Sequence, residues 1–339
     1  MKLLFLLEST LLDDYFLYVK ALVDALADDG YEPKIAFTTR GTPSDHTYQL
    51  VKDHVVHHLT KLCFRSADVG YMDRLAGHIN RTGYDFVIIS QAVFPGNQNQ
   101  PVVISQLYGM LEHKPRLIFM GNQCSQGVTQ AAADLADLDP LWVAVSQNVA
   151  TRFMPEYDVQ VIYGPAVQPE ANGVDIRAEF GIRPGAKMLG YIGDVDMANW
   201  EPVIEAVKRM KCGLLIAGTG DRIAQLAEMK GPVRIVPAVP HIRADWYRAF
   251  DVFVYPVKAA GFPMLPLEAA LCGCPVAMSP VSDTYQLLHD KFGFFGFNAE
   301  AVVKAVQQVS SYDREAVKKF VGEEFSRDRF LSGWQILLS

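Results

Sequence analysis

The sequence predicts an α/β protein with two doubly wound domains, for three reasons. Short apolar runs alternate with longer amphipathic ones throughout, as in parallel sheets with right-handed crossovers. The length of 339 residues suits two domains of about 150 residues each. A stretch rich in proline, glycine and polar residues, Tyr163–Lys187, separates two halves with this rhythm. We therefore expect domains at residues 1–163 and 164–325 that face each other across a cleft, with ligands at the carboxyl ends of the strands.

In the first half, the clearest element is a helix. Apolar residues at spacings of three and four predict it over Asp14–Asp28, and Asp29-Gly30 ends it. The opening apolar run is short and is followed at once by Glu8, so we expect a buried strand there and no signal peptide. The predicted strands of this half are Leu3–Leu7, Glu32–Phe37, His54–His58, Asp85–Ser90, Arg116–Met120 and Leu141–Val145.

The second half repeats the alternation and ends in helices. Its predicted strands are Lys187–Ile192, Gly213–Ala217, Arg234–Pro237, Asp251–Tyr255 and, as the last core strand, Pro275–Met278. Its predicted helices are Glu201–Met210, Ala244–Ala249, Val302–Val309, Arg314–Val321 and the stretch Ser326–Ser339.

The composition excludes several classes of protein. Half of the residues are hydrophobic and 20% are charged, which excludes a mostly disordered chain. The formal net charge of −7 argues against non-specific binding to nucleic acid or anionic membranes. No apolar run reaches the roughly 18 residues of a membrane span. Five scattered cysteines in apolar contexts are typical of a reducing compartment, so we expect a cytoplasmic protein.

The segment from Asp251 to Asp283 contains the clearest candidate site. Its strand ends at Pro256, a loop with Gly261 follows, and a helix begins near Met264. A loop that opens into a helix N-terminus presents N–H groups and a positive dipole end, which suit a phosphate. Glu268 lies one turn inside this helix, where its carboxylate could accept hydrogen bonds from a ribose diol. An ordinary βαβ unit with a solvated glutamate is the alternative.

This segment resembles the donor-site signature of GT-B glycosyltransferases, in particular the retaining family called GT4. The matching residues are Tyr255-Pro256, Gly261-Phe262-Pro263 and the run Leu267–Val276, which reads LEAALCGCPV. Further similarity lies in Leu189–Gly193, Leu214–Asp221 and Val236–Val239. The resemblance is strong over residues 187–283 and weak in the first half.

The resemblance implies two Rossmann-like domains, with the acceptor bound by the first and a nucleotide-sugar donor by the second. It implies retention of configuration, no metal or other cofactor, and a C-terminal helix at 326–339 that packs back on the first domain. The implied donor residues are Glu268 for the ribose, Gly261, Phe262, Pro263, Met264 and Leu265 for the phosphates, Val239 for the base, and Gly193, Gly218, Lys258 and Arg243 around them. The implied acceptor-side residues are Ser9, Thr10, Asn97, Asn122 and Gln123.

Several polar hallmarks of the family are replaced in this sequence. Ala260 stands where the family usually has a glutamate, and Asp194 stands where it usually has an arginine. The usual lysine falls near Asn199-Trp200, and no side chain is assigned as catalytic. Lys258, Arg243 or Arg222 could restore positive charge. Three functions stay open: a transferase with altered donor contacts, a non-catalytic GT-B subunit or binding module, and a nucleotide-sugar epimerase, against which the lack of an acid/base pair weighs.

Other motifs argue against further cofactors. Gly218-Thr219-Gly220 lacks the third glycine of a dinucleotide fingerprint. His57 would point away from His54 and His58 on a strand, which argues against a metal site. The sugar, the base, the oligomeric state and the acceptor stay open, and acceptors in this fold include lipids, glycans, proteins, small metabolites and modified nucleic-acid bases.

Overall fold

The computed structural model describes residues 1–7, 14–37, 45–56, 69–91, 100–122, 126–228, 232–236, 243–258 and 261–339. The chain divides into two compact units. Unit 1 comprises Met1–Gly164 and Phe330–Ser339, and unit 2 comprises Pro165–Arg329. Among the described residues, each unit has a six-stranded parallel sheet with helices between the strands. The predicted fold class, two doubly wound Rossmann-like domains, is therefore confirmed.

Unit 1 has the strand order β2-β1-β3-β4-β5-β6. The strands are β1 Lys2–Leu7, β2 Glu32–Phe37, β3 Phe86–Gln91, β4 Arg116–Gly121, β5 Leu141–Ala144 and β6 Val159–Val161. The helices before the linker are α1 Asp14–Asp28, α2 Asp45–Val51, α3 Val69–Thr82, α4 Gln100–Met110, α5 Gln126–Leu135 and α6 Gln147–Phe153. All five residues of Leu3–Leu7 are buried, as a strand covered on both faces requires.

The strand predicted at His54–His58 is not formed over His54–Val56, and His57 and His58 lie outside the described residues. The chain forms a 3-10 turn at Lys52–His54, and Val55 makes a single parallel bridge to Ile35 of β2. The Val56 N–H donates to the Ile35 carbonyl at 2.9 Å. The two valines favour a strand locally, but the ladder beside β2 is only one bridge long among the described residues.

The last helix, α15 Arg327–Leu338, contributes its residues from Phe330 onward to unit 1. Trp334 is fully buried, and the ring of Phe330 packs edge-on against Tyr18 with centroids 5.1 Å apart. The Gln160 side-chain amide donates to the Gly333 carbonyl at 3.0 Å. The structure therefore divides the chain at Gly164/Pro165, beside the predicted boundary, and places most of α15 with the first unit.

Unit 2 has the strand order β12-β11-β10-β7-β8-β9. The strands are β7 Met188–Asp194, β8 Gly213–Thr219, β9 Val233–Val236, β10 Val252–Tyr255, β11 Val276–Met278 and β12 Gly293–Phe294. The helices are α7 Ile176–Glu179, α8 Trp200–Met210, α9 Ile223–Glu228, α10 Arg243–Ala249, α11 Met264–Leu271, α12 Thr284–Leu288, α13 Ala299–Val309 and α14 Arg314–Glu324. Strand β12 lies beyond β11, which we expected to be the last core strand.

Candidate functional site

The order of the strands in unit 2 reverses between β7 and β10. The chain moves from β7 to β8 and β9 on one side, and then to β10, β11 and β12 on the other. Ligands of doubly wound sheets bind outside the carboxyl ends of the strands at such a point. The loops that follow β7 and β10 are therefore the first place to look for a site within this unit.

These two loops are joined by backbone hydrogen bonds. The Asn199 N–H donates to the Pro256 carbonyl at 2.7 Å, and the Lys258 N–H donates to the Met197 carbonyl at 2.9 Å. Ala198 and Val257 form an antiparallel bridge between them. The loops thus form one short ribbon at the carboxyl edge, and this ribbon fixes the backbone on which Lys258 stands.

Lys258 is a candidate for contact with phosphates, and it is exposed. Within the described residues, its ammonium group makes no hydrogen bond or ion pair. An exposed ammonium group on a fixed backbone can reach an anionic ligand at little desolvation cost.

Helix α11 begins at the same edge, and its N-cap residue is Pro263, which supplies no side-chain cap. The five predicted phosphate-binding residues lie together here and are buried; they are Gly261, Phe262, Pro263, Met264 and Leu265. Phe262 packs against Phe325 with ring centroids 5.6 Å apart. The predicted helix N-terminus beside the β10 loop is therefore present, and its dipole favours an anion.

Glu268 forms a buried ion pair with Arg243 of α10. Arg243 Nε donates to Glu268 Oε2, and Arg243 Nη2 donates to Glu268 Oε1, both at 2.7 Å. The Tyr247 hydroxyl donates to Glu268 Oε2 at 3.3 Å. Only 8% of the Arg243 side chain and 3% of the Glu268 side chain are exposed. Two predicted donor residues are thus brought together, with the carboxylate held by three donors.

The guanidinium of Arg243 stays charged in this environment. Burial alone would lower the pKa of Arg243, but the charge and hydrogen bonds of Glu268, together with Tyr247, raise that pKa above its usual value. Its charge is balanced by Glu268, so Arg243 is poorly placed to neutralise a ligand phosphate as well.

Two acidic residues lie at the carboxyl end of β7: Asp194 is its last residue, and Asp196 follows it. The Asp196 carboxylate accepts the N–H groups of Asp221 and Arg222, at 2.7 and 2.9 Å. The Asp196 N–H in turn donates to Asp194 Oδ1 at 2.9 Å. Burial raises the pKa of Asp194; the hydrogen bond from Asp196 opposes this, and the nearby charges of Asp196 and Asp221 add to it. This edge is therefore more acidic than the resemblance implies.

Sequence reasoning missed the role of Asp196. A glycine-containing turn after a strand presents N–H groups, and here a side chain of the protein accepts two of them. The turn after β8 would otherwise have been a candidate for phosphate contact. One signal in the sequence could have predicted this role. Asp196 comes two residues after Asp194, beyond the end of β7, and the Gly218–Asp221 turn lies at the end of the neighbouring strand β8.

The two predicted donor glycines, Gly193 and Gly218, are partners in the β7–β8 ladder. Gly193 has a φ of +139°, and a Cβ built on Gly218 would lie 2.2 Å from the Gly193 carbonyl oxygen. Gly218 needs glycine because the backbone of β7 leaves no room for a Cβ, and Gly193 needs glycine because other residues rarely adopt its positive φ. The other arginine considered, Arg222, donates to the Ala198 carbonyl at 3.0 Å and pairs with Glu201.

In unit 1, Asn122 directly follows β4. It is 3% exposed, and among the described residues neither its amide oxygen nor its amide nitrogen has a hydrogen-bond partner. Buried amide groups are usually hydrogen-bonded, so Asn122 keeps its place as an acceptor-side candidate. The other candidates Ser9, Thr10, Asn97, Gln123 and Val239, and the departure at Ala260, lie outside the described residues.

The described part of the chain contains neither a candidate metal-binding cluster nor a helix suited to crossing a membrane. There, no group of three histidine, cysteine, aspartate or glutamate side chains could hold a metal ion. Across the same ranges, no helix is both long and apolar enough to cross a membrane.

Part of unit 2 matches a family of glycosyltransferases, and two sequence relatives are glycosyltransferases. Residues 186–311 match the family model described as glycosyl transferases group 1. The lipopolysaccharide core biosynthesis mannosyltransferase LpsB of Rhizobium meliloti is 30% identical over 137 residues, which are 36% of this chain and 39% of that protein. D-inositol 3-phosphate glycosyltransferase 1 of Catenulispora acidiphila is 25% identical over 308 residues, which are 78% of this chain and 73% of that protein.

A solved structure matches the whole chain. The Anabaena protein Alr3699/HepE, in complex with UDP-glucose, superposes with a TM-score of 0.77 over 99% of both chains, at 15% sequence identity. At this identity the likeness shows the fold alone. The chain therefore has the GT-B fold, and its residues 186–311 belong to the glycosyl transferases group 1 family.

Proposed function

We propose that the protein transfers a sugar from a nucleotide-sugar donor to an acceptor, with retention at the sugar carbon and without a metal ion. One observation carries the proposal. The segment that matches the family model contains the point where the strand order reverses. Beside that point lie the start of α11, the β10 loop with Lys258, and Glu268 in its ion pair with Arg243. Unit 2 would bind the donor, and unit 1 would bind the acceptor.

The diphosphate and the ribose of the donor would each contact a different part of this site. The diphosphate lies against the N-terminal turn of α11, where the helix dipole and the Lys258 ammonium supply positive potential. The ribose lies at Glu268. HepE, solved with UDP-glucose, and the sugar-transferring relatives support a donor of this chemical class.

In this retaining reaction, no side chain of the protein has to act as a general acid or base. The acceptor hydroxyl attacks the sugar carbon on the face that the leaving phosphate departs from. The bond between the sugar carbon and the phosphate oxygen breaks, and that oxygen takes the acceptor's proton. The products are a glycoside and a nucleoside diphosphate. The protein contributes position and charge stabilisation, which unit 2 supplies through α11 and Lys258.

The experiment is a panel of UDP-, GDP- and ADP-sugars, assayed for slow hydrolysis with the wild type and with Glu268→Ala. We expect one donor class to be hydrolysed, with EDTA having no effect, and we expect Glu268→Ala to bind it about tenfold or more weakly, since a bond to a charged group is lost. Absence of nucleotide binding at millimolar concentration would overturn the proposal. Equal binding by the variant would remove Glu268 from the site.

A second function, a non-catalytic binding subunit, is favoured by one observation. Asp194 and Asp196 occupy the edge where the resemblance implies positive charge, and Arg243 and Arg222 are both engaged in ion pairs. A protein of this kind would bind the nucleotide sugar and turn over none of the panel, with or without added acceptors.

A further inference from the structure

The ion pair between Arg243 and Glu268 does more than neutralise charge. We propose that Arg243 is a positioning residue, which fixes the Glu268 carboxylate so that it can accept one hydroxyl group of the donor's ribose. The inference rests on the proposed function, because it needs a nucleotide whose ribose meets Glu268. It also reassigns Arg243, which the sequence suggested as a phosphate contact.

The two hydrogen bonds of the pair fix the carboxylate in one plane. Arg243 donates through Nε and Nη2 to the two different oxygens of Glu268, both at 2.7 Å. A planar guanidinium that binds both oxygens sets the orientation of the carboxylate as well as its place. A lysine at the same position would supply a charge without setting that orientation.

The remaining capacity of the carboxylate is small. An ionised carboxylate offers about four acceptor positions. Arg243 occupies two of them, and the Tyr247 hydroxyl occupies a third at 3.3 Å. Counting the contacts of the described residues, about one position is left, so Glu268 can accept one ribose hydroxyl, whereas an unpaired carboxylate could accept both.

Stability alone is a weak reason for such a pair. Both side chains are almost fully buried, and a buried ion pair is often no more stabilising than apolar side chains of similar volume. The same helix offers a comparison in Arg248, which pairs with the buried Asp245 at 3.2 Å and makes no contact with Glu268. Asp245 also accepts the backbone N–H of Asn172 at 2.9 Å, as expected of a pair that only anchors the chain.

Calorimetric titration of the full chain tests the inference. The probe is whichever of UDP, GDP and ADP the wild type binds best, together with its 2′-deoxy and 3′-deoxy analogues. We expect the wild type to bind one analogue about tenfold more weakly than the parent compound, as the loss of a hydrogen bond to a charged group implies, and to bind the other almost unchanged. Weaker binding of both analogues, or of neither, overturns the single-hydroxyl inference.

The variants then test Arg243 itself. In Arg243→Met, we expect the parent compound to bind about tenfold more weakly and the discrimination between parent and analogue to disappear. In Arg243→Lys, which retains the charge and is the second variant if the methionine variant does not fold, we expect the same loss of discrimination. The control Arg248→Met should retain the wild-type ratio.

Other outcomes overturn the role of Arg243. One such outcome is that both Arg243 variants keep the wild-type ratio of affinity between the parent nucleotide and its deoxy analogues. The other is an equal loss of affinity for the parent and the analogues, which leaves that ratio unchanged, as a purely structural role would produce. Absence of any nucleotide binding by the wild type is a different result. It overturns the proposed function, and with it the premise of this inference.

Discussion

At the scale of single residues, the charged groups at the carboxyl edge of unit 2 mostly contact one another or the backbone. Arg243 binds Glu268, Arg222 binds Glu201 and a backbone carbonyl, and Asp196 accepts two backbone N–H groups. For a diphosphate, the positive potential would then come from the N-terminus of α11 and from Lys258. The chain has a formal net charge of −7. The carboxyl edge of unit 2 is acidic as well, because Asp194 stands where the resemblance implies an arginine.

Asp194 gives a prediction about stability and pH. Its pKa is raised in the folded protein, so the folded state binds the proton more tightly than the unfolded state. Stability is therefore lost as the pH rises from the ordinary value of 3.8 through the raised pKa. Asp194→Asn removes this loss and retains an oxygen that accepts the Asp196 N–H.

We thus expect the Asn variant to melt at a higher temperature than the wild type at pH 7, with the difference shrinking as the pH approaches 3.8. Melting curves across this range provide the measurement. A variant that is less stable at pH 7, or a difference independent of pH, would show that the charge of Asp194 is not destabilising.

The sequence singles out candidate site residues by type and place, but it does not reveal their contacts. Glu268, Arg243 and the Gly261–Leu265 stretch were recognisable by type and place. The bidentate pair was not, because it joins residues 25 positions apart on two helices. The Asp196 contacts depend on the direction of N–H groups in a turn across the sheet, which no local pattern encodes.

At the scale of elements, the close approach of β7 and β8 shapes the edge. A Cβ on Gly218 would meet a backbone oxygen at 2.2 Å, which no side-chain rotation can relieve. We expect Gly218→Ala to lower the free energy of unfolding by about 1–3 kcal/mol, the usual cost of overpacking. Urea unfolding of the variant is the measurement.

The matched control is Gly322→Ala. Gly322 lies inside α14, and a Cβ there would make an ordinary contact of 3.6 Å with Leu271. Alanine should raise the free energy of unfolding by up to about 1 kcal/mol, since glycine is the poorer helix former. If both variants change stability in the same direction and by the same amount, the close approach at Gly218 is not the cause.

Long amphipathic elements were predicted well because periodicity alone determines them. Helix α1 and strand β2 have the predicted bounds. The two-residue strand β12 was not predicted, and the predicted strand at His54–His58 begins in a 3-10 turn at His54. A strand this short depends on its contacts with the neighbouring strand, and a local stretch of sequence does not contain that information.

At the scale of the whole molecule, the division into two units follows from the alternation of strands and helices and from the linker after Tyr163. In the structure, the residues of α15 from Phe330 onward belong to unit 1, and both Phe330 and Trp334 are buried. The sequence left the acceptor and the sugar open, because the resemblance to the family is weak in the first half. The central claim is that unit 2 binds the nucleotide part of a sugar donor.

Hydrogen–deuterium exchange with and without saturating UDP, GDP or ADP tests this claim most directly. We expect one nucleotide to slow the exchange of backbone amides in residues 194–199 and 256–268, where the β7 loop, the β10 loop and the start of α11 meet. Protection confined to residues 1–164, or none with any of the three nucleotides, would contradict the account.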